Sequence, residues 1–300
     1  MTLLCWGPAA LAYNNSKIAI FYPEAKEPYR SIYQEIVSGS QAASGTETQE
    51  VELNEYLLEQ DFSSAKIIEQ LQNEKIDKVI VLGRLGFKLA QQLPKEFHVV
   101  SGALPITPNG ISGISLIADP AYLFNYLEQV APQVKKVHVA YSEKSEWLIA
   151  MAKTAAKAQG LELDVRKVTS TKEAVEFYQQ LFESNISAQD AIWLPLDRIS
   201  SHDKITLPLI LEKAWSREVV VFSSKPSHAK RGALFSTYPD NFALGKHLYE
   251  MVQELDKQPE QKNFAALQST LLAINLRTAA HLGLKYSSEQ QQQFKLTFPE

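Results

Sequence analysis

The 300-residue sequence holds one cysteine, Cys5. A lone cysteine excludes a disulfide framework within the chain and any cysteine-rich zinc site. No stretch approaches the roughly 18–20 consecutive apolar residues that span a bilayer. Charge of neither sign is concentrated: the net charge is −4 and the signs are interspersed. The basic face that a nucleic-acid surface needs is therefore missing. The six histidines are scattered, with no H-E-x-x-H or other metal-ligand spacing. Glycine is sparse, at 12 residues, and "GRLGF" (83–87) has two at the wrong spacing for a dinucleotide fingerprint or a phosphate loop. There is no G-x-S-x-G elbow. No catalytic motif survives, and neither metal nor cofactor is implied. Asp197 and Asp240 each follow a strand-like run; that is open to a glycosidase reading and equally to a binding one.

What is present is an ordinary core composition, 45% apolar and 21% charged, in a chain long enough for one large or two medium domains. The N-terminus, "MTLLCWGPAALAYNNSK", has no charged side chain before Lys17. Its apolar Leu3–Trp6 stretch leads to Ala10-Leu11-Ala12, an A-x-A-like cleavage site. Residues 1–12 read as the remnant of a secretory signal peptide, with a buried first strand as the alternative. Cleavage would remove Cys5 and leave a thiol-free chain suited to the periplasm, an oxidising compartment; the alternative is a cysteine-poor cytoplasmic protein.

A β–α rhythm covers the rest. "KIAIFY" (17–22), "KVIVLG" (78–83), "FHVVSG" (97–102), "KVHVAYS" (136–142), "AIWLPL" (191–196) and "EVVVFSS" (218–224) are apolar on both faces, as parallel strands covered by helices are. "SSAKIIEQLQNEK" and "SEWLIAMAKTAAKAQG" have helical apolar spacing. "STKEAVEFYQQLFES" opens with Ser170 and Glu173 in a capping-box arrangement. Such alternation predicts open doubly wound sheets. Six strands in two groups of three predict two similar lobes, jointed in the proline- and glycine-rich 103–124. A strand is expected to end near Thr237 and a helix to begin near Asp240. Asn275 is expected to cap a closing helix after the strand Leu271–Ile274, with Gly283 left-handed beyond its end.

In open α/β sheets ligands bind beyond the carboxyl ends of strands. The residues there are Tyr22, Pro23 and Glu24; Arg84; Gly102 and Ala103; Ser142 and Ser145; Asp197; and Ser223, Ser224 and Lys225. With Tyr141, Trp147, Tyr238 and Asp240 they form the candidate ligand-binding set. Each has a plainer reading as a helix cap or packed ring. Together they suit a small polar ligand with an apolar body. For an amino-acid-like ligand, Arg84 offers a bidentate fork to a carboxylate. Asp197 would take the ammonium, and Tyr22, Tyr141 or Trp147 would hold the side chain.

Several segments in order carry a resemblance: "NGISGISLIADPAYLFNYLEQVAPQVKKVHVAYSEKSE" (109–146), "GLELDVRKVTSTKEA" (160–174), "DAIWLPLDRI" (190–199), "RGALFSTYPDNFALGKHLYEMV" (231–252) and "LAINLRTAAHLGL" (272–284). The stretch 111–284 resembles bacterial ABC transporter substrate-binding proteins, in the group that includes tryptophan- and phenylalanine-type binders. The resemblance implies a type I periplasmic-binding-protein fold, with two Rossmann-like lobes, each a parallel sheet flanked by helices, joined by a three-strand hinge. The lobes would comprise 17–112 plus 237–268 and 113–236 plus 269–300. It implies a small-molecule ligand clamped between lobes by hinge closure, an ABC permease as partner, and no enzymatic activity. The chain departs from the family's pattern at Gly83-Arg84, where glycine-threonine is common, at Ser142–Ser145, which lacks the usual asparagine, and at Arg198, where asparagine is usual. Two other readings stand beside this one. One is an envelope interaction or sensing module with a degenerate cleft. The other is a two-lobed enzyme resembling a sugar-nucleotide transferase, which lacks its phosphate loop here.

Overall fold

The computed structural model describes residues 16–45, 51–257 and 263–299. The expected signal remnant and Cys5 lie outside them. The chain runs through β1 (Ser16–Pro23), α1 (Tyr29–Ser44), β2 (Val51–Leu58), α2 (Ser64–Glu74), β3 (Lys78–Leu82), α3 (Gly83–Ala90), β4 (His98–Gly102) and β5 (Ser112–Ala118). It then passes to a second sheet through α4 (Pro120–Val130), β6 (Lys136–Tyr141), α5 (Glu146–Ala158), β7 (Glu162–Lys167), α6 (Thr171–Glu183), β8 (Asp190–Leu194), α7 (Thr206–Arg217), β9 (Val220–Ser223), α8 (Ser227–Arg231) and β10 (Phe235–Pro239). It returns for α9 (Asn241–Lys257) and β11 (Phe264–Leu267), and ends in β12 (Thr270–Asn275), α10 (Leu276–His281), α11 (Ser288–Gln293) and β13 (Leu296–Phe298).

The first sheet has the order β11-β5-β4-β3-β1-β2 and is parallel throughout. The second has the order β13-β12-β10-β9-β8-β6-β7. One pair in it, β10 with β12, is antiparallel. Both lobes are thus parallel sheets as expected, and the one antiparallel pair has a topological reason. β10 leaves the second lobe for the first, whereas β12 enters it from the first, so the two run in opposite directions. Each sheet is sandwiched between helices. In the first lobe Ile18, Ile20, Ile80 and Val100 pack with α1 and α9, and Ala19, Phe21, Val79 and Val81 pack with α2 and α3. In the second, Val137, Val139 and Trp193 pack with α4 and α5, and Ile192 and Leu194 with α6 and α7. Strands buried on both faces must be apolar at every position, which is why the six central runs were legible. No helix among the described residues is long and apolar enough to cross a membrane.

Three crossings join the lobes, and two lie later than expected. β5 pairs with β4 in the first sheet, so the chain changes lobes at Asp119 rather than 112. β10 stays paired with β12 as far as Pro239, so the return comes at Asp240 rather than 237. Both aspartates cap the helix that follows: Asp119 accepts from Ala121 N at 2.9 Å and Asp240 from Ala243 N at 2.9 Å. Backbone bonds tie the crossings together, from Asp119 N to Leu267 O (2.9 Å) and Asp240 N to Ser269 O (3.0 Å).

Other caps follow the sequence closely. Ser170 accepts from Glu173 N at 3.3 Å, but the Glu173 carboxylate takes Thr169 N and Oγ1, one residue before the position a capping box uses. Asn275 accepts from Thr278 N at 2.9 Å and donates to Ala229 O at 2.8 Å, and Gly283 is left-handed at φ 70°. Helices α1 and α9 meet through glycines. A Cβ on Gly39 would lie 1.9 Å from Phe242 O, and one on Gly245 would lie 1.9 Å from Ile36 O. Ser40 Oγ bridges the same contact to Gly245 O at 2.8 Å. The leucine-glycine pair at 244–245 thus has a steric reason. His138 clamps three strands, with its ring nitrogens 2.8 Å from Asp164 and 2.9 Å from Asp190.

Candidate functional site

The carboxyl ends of the strands in both sheets carry the expected residues, but the structure groups them unevenly. On the first lobe, Tyr22 ends β1 and its hydroxyl donates to Glu55 at 3.0 Å. Burial, and then the bond to Glu55, push the phenol up to about 12. Its ring lies 5.9 Å from that of Tyr33. Tyr33 in turn abuts the start of α3, where a Cβ on Gly83 would lie 2.4 Å from its hydroxyl. Gly83 also has φ +69°, a left-handed conformation that favours glycine. Arg84 follows on the first turn of α3, exposed, and no side chain caps that helix start. Glu24 is also exposed, just beyond β1. Tyr22, Tyr33 and Gly83 are therefore contiguous along a rim, with Arg84 next in the chain. Gly102 does not join it: a Cβ there would lie 2.6 Å from Leu248 Cδ1, so the glycine admits α9 against the sheet.

On the second lobe the polar groups bind one another. Asp197 Oδ2 accepts from Ser142 N (2.8 Å), Ser142 Oγ (2.7 Å) and Ser145 Oγ (2.7 Å). Its Oδ1 accepts from Ile199 N (2.9 Å) and Ser200 N (3.1 Å). Burial, the largest influence, opposes ionisation, yet these bonds together hold the carboxyl below its ordinary range. The structure thus brings Ser142, Ser145 and Asp197 together. It also saturates the carboxylate expected to receive a ligand ammonium. The cause is local. The turn after β6 aims its N–H and two hydroxyls at the loop after β8, and a buried carboxylate requires such donors.

Ser223 is likewise committed. Its Oγ lies 3.0 Å from Leu194 O and 2.8 Å from His228 Nδ1, and accepts from Lys225 N at 3.0 Å. His228 Nε2 meets Asp203 Oδ1 at 2.9 Å, and Asp203 also binds Lys225. This Ser–His–Asp string has the order of a hydrolytic triad. Ser223 and His228 are both wholly buried, so the string closes an internal network that fixes α8 and presents no nucleophile. Burial lowers the His228 imidazole, against the pull of Asp203, and the Lys225 and His228 bonds outweigh burial to hold Asp203 down at about 2. Among the described residues no three histidine, cysteine or acidic side chains gather as a metal site would require.

At the hinge, Asp240 is the cap already described. Tyr238 packs on Ala229, Ala273 and Phe298, and its phenol is raised first by burial and then by Asp240 and Tyr126. Tyr141 is buried in the second-lobe core. Trp147, at the start of α5, turns to the first lobe: its ring meets Phe264 of β11 at 5.5 Å and 81°. Its indole Nε1 is buried without a hydrogen-bond partner among the described residues. Sequence reasoning missed Tyr33 and Tyr126, whose hydroxyl donates to the hinge carbonyl of Thr270 at 2.7 Å. The i, i+4 spacing of Tyr29 and Tyr33 in "YRSIY" was the available signal for the first.

The profile of the family described as ABC transporter substrate binding protein matches residues 64–293. No curated protein matches the chain. Among solved structures, an ABC domain in complex with L-Trp from Streptococcus pneumonia is 20% identical, over 95% of this chain and 100% of that one, with a TM-score of 0.53. The ligand-free, open structure of CD0873, a substrate binding protein with adhesive properties from Clostridium difficile, is 16% identical over 94% of this chain and 99% of that one, with a TM-score of 0.63. Full-length LpoA from Haemophilus influenzae is 13% identical over 82% of this chain and 51% of that one, with a TM-score of 0.51. These likenesses show a shared fold, the two-lobed architecture of type I periplasmic binding proteins.

Proposed function

The chain belongs to the family of ABC transporter substrate-binding proteins, and from that premise we propose that it clamps a small carboxylate, an amino acid or a related compound, between its lobes for delivery to an ABC permease. The observation that carries this reading is the rim at Tyr22, Tyr33, Gly83 and Arg84. It sets an exposed arginine on an uncapped helix start, next in the chain to a glycine that Tyr33 abuts, with the Tyr22 ring beyond it. A carboxylate would sit at Arg84 and the first turn of α3, where a guanidinium fork and the helix N-terminus both favour an anion. The ligand's apolar body would lie on the tyrosines. Because Asp197 is saturated, an ammonium would go to Glu24, whose carboxylate has no hydrogen-bond partner among the described residues. Asp197 would instead hold the Ser142–Ser145 turn in position. The work would be done in the periplasm, after removal of the N-terminal segment.

A second reading, an envelope interaction or sensing module with a degenerate cleft, is favoured by the saturation of Asp197 and Ser223. A thermal-shift screen of the standard L-amino acids and related carboxylates separates the two. A ligand that binds only the folded state must raise the melting temperature. A compound that does so in wild type and not in Arg84→Ala supports the transport reading. A screen in which nothing shifts the melting temperature removes it and leaves the interaction module.

A further inference from the structure

A cavity of about 460 Å³ lies away from the rim just described, on the flank of the second lobe. It is lined along one side by Val165, Arg166 and Lys167 of β7, and along the other by Glu173, Phe177 and Gln180 of α6. β7 is the terminal strand of its sheet. Its inner pairing is fixed by Glu162 N donating to Lys135 O and Val168 N donating to Tyr141 O, both at 2.9 Å. In a parallel ladder alternate residues bond to one neighbour. Glu162, Asp164, Arg166 and Val168 therefore turn their backbone groups to β6. Leu163, Val165 and Lys167 turn theirs outward, where no strand among the described residues pairs with them. The strand has no proline to block main-chain pairing, and four of its six residues are charged, which limits pairing with an uncharged edge.

We propose that this groove is a second binding site, which takes an extended peptide segment carrying a carboxylate, added as a strand alongside β7. A free strand edge facing a helix across a groove supplies what strand addition needs. Main-chain bonds come from the edge, and side-chain selection comes from the helix wall. Phe177 provides the apolar contact on the α6 side, whereas the Val165 side chain packs on the opposite face, against the core under α4 and α5. The charge preference comes from Arg166, which is exposed and has no hydrogen-bond partner among the described residues. The other charges on the lining are engaged: Lys167 pairs with Glu146 at 3.0 Å, Glu173 accepts from Thr169, and Glu176 pairs with Lys172 at 3.8 Å. The proposal does not depend on what the interlobe cleft binds.

The probe is a fluorescein-labelled hexapeptide of alternating valine and threonine with one aspartate, read by anisotropy against the full chain. Saturable binding tighter than about 1 mM is expected. Arg166→Glu should weaken it at least tenfold. N-methylation of alternate peptide amides, which removes main-chain donors and leaves the side chains, should abolish it. Val165→Pro, which deletes an outward N–H, should do the same; Phe177→Ala, at an independent position, guards against a proline variant that fails to fold. Melting temperatures establish that each variant is folded. No binding at about 1 mM, or binding indifferent to Arg166→Glu and to N-methylation, overturns the proposal. So does a dimer in sedimentation that Arg166→Glu dissolves, because it assigns the edge to a second copy of the chain.

Discussion

The rings of Trp147 and Phe264 meet edge to face at 5.5 Å, across the boundary between the two lobes. Residues 117 positions apart in sequence thus bolt α5 of one lobe to β11 of the other. Such ring pairs contribute about 1 kcal/mol beyond the area they bury. Phe264→Leu keeps most of the apolar bulk and removes the ring. We expect it to lower the unfolding free energy by about 1 kcal/mol in urea denaturation, with a change in tryptophan emission as the indole loses its neighbour. Unchanged stability and emission would show that the contact does not couple the lobes.

Asp197→Asn separates a structural carboxylate from a ligand-binding one. The amide would face the donors of Ser142, Ser145, Ile199 and Ser200 with an N–H₂ group where an acceptor is needed. We expect a loss of about 3 kcal/mol, as for a buried charged network broken at one partner. Because the folded carboxyl is held below its ordinary value, its contribution is present above about pH 4 and disappears as pH falls through the folded value. The acid limb of the variant's stability curve should therefore be flatter than that of wild type. If Asp197 instead bound ligand, the variant would keep its stability and lose affinity.

The His228–Asp203 pair gives a second pH signature. His228 is buried and its imidazole is lowered. The unfolded chain then takes up a proton that the folded chain refuses, and stability declines as pH drops below the ordinary imidazole value of about 6.5. Asp203, held at about 2, adds a further loss as pH falls from about 4 toward that value. In His228→Gln the first decline should vanish while the second remains. Urea midpoints measured across that range check both.

Gly245→Ala tests the contact between α1 and α9. Its Cβ would fall 1.9 Å from Ile36 O, against backbone that no rotamer change relieves. Overpacking a core costs about 1–3 kcal/mol even where side chains can shift, so a loss at or above that range, or failure to fold, is expected. A melting temperature equal to wild type would mean that the helices separate freely.

How much of this was legible follows from burial and from distance along the chain. Strands such as Ile18–Phe21 and Val79–Leu82 are sealed on both faces, so their composition announced them. β2, at the edge, alternates polar with apolar in "VELNEYLL" and gave no such signal. Asn275 was readable as a cap because its acceptor role spans only three residues. Ser142 and Asp197 were both named from the rule about strand ends. That they bind each other, 55 residues apart, depends on two loop conformations that no local pattern encodes. Arg84 was singled out by position and chemistry, whereas the place of Tyr33 against Gly83 required the fold of α1 against α3.

If a small carboxylate is held through Arg84, isothermal titration of the compound selected by the thermal screen, on wild type and on Arg84→Ala, will show it. Saturable one-site binding to wild type is expected. At least a tenfold weakening, about 1.4 kcal/mol, is expected in a variant whose ligand-free melting temperature is unchanged. Equal affinity for the two proteins would contradict it.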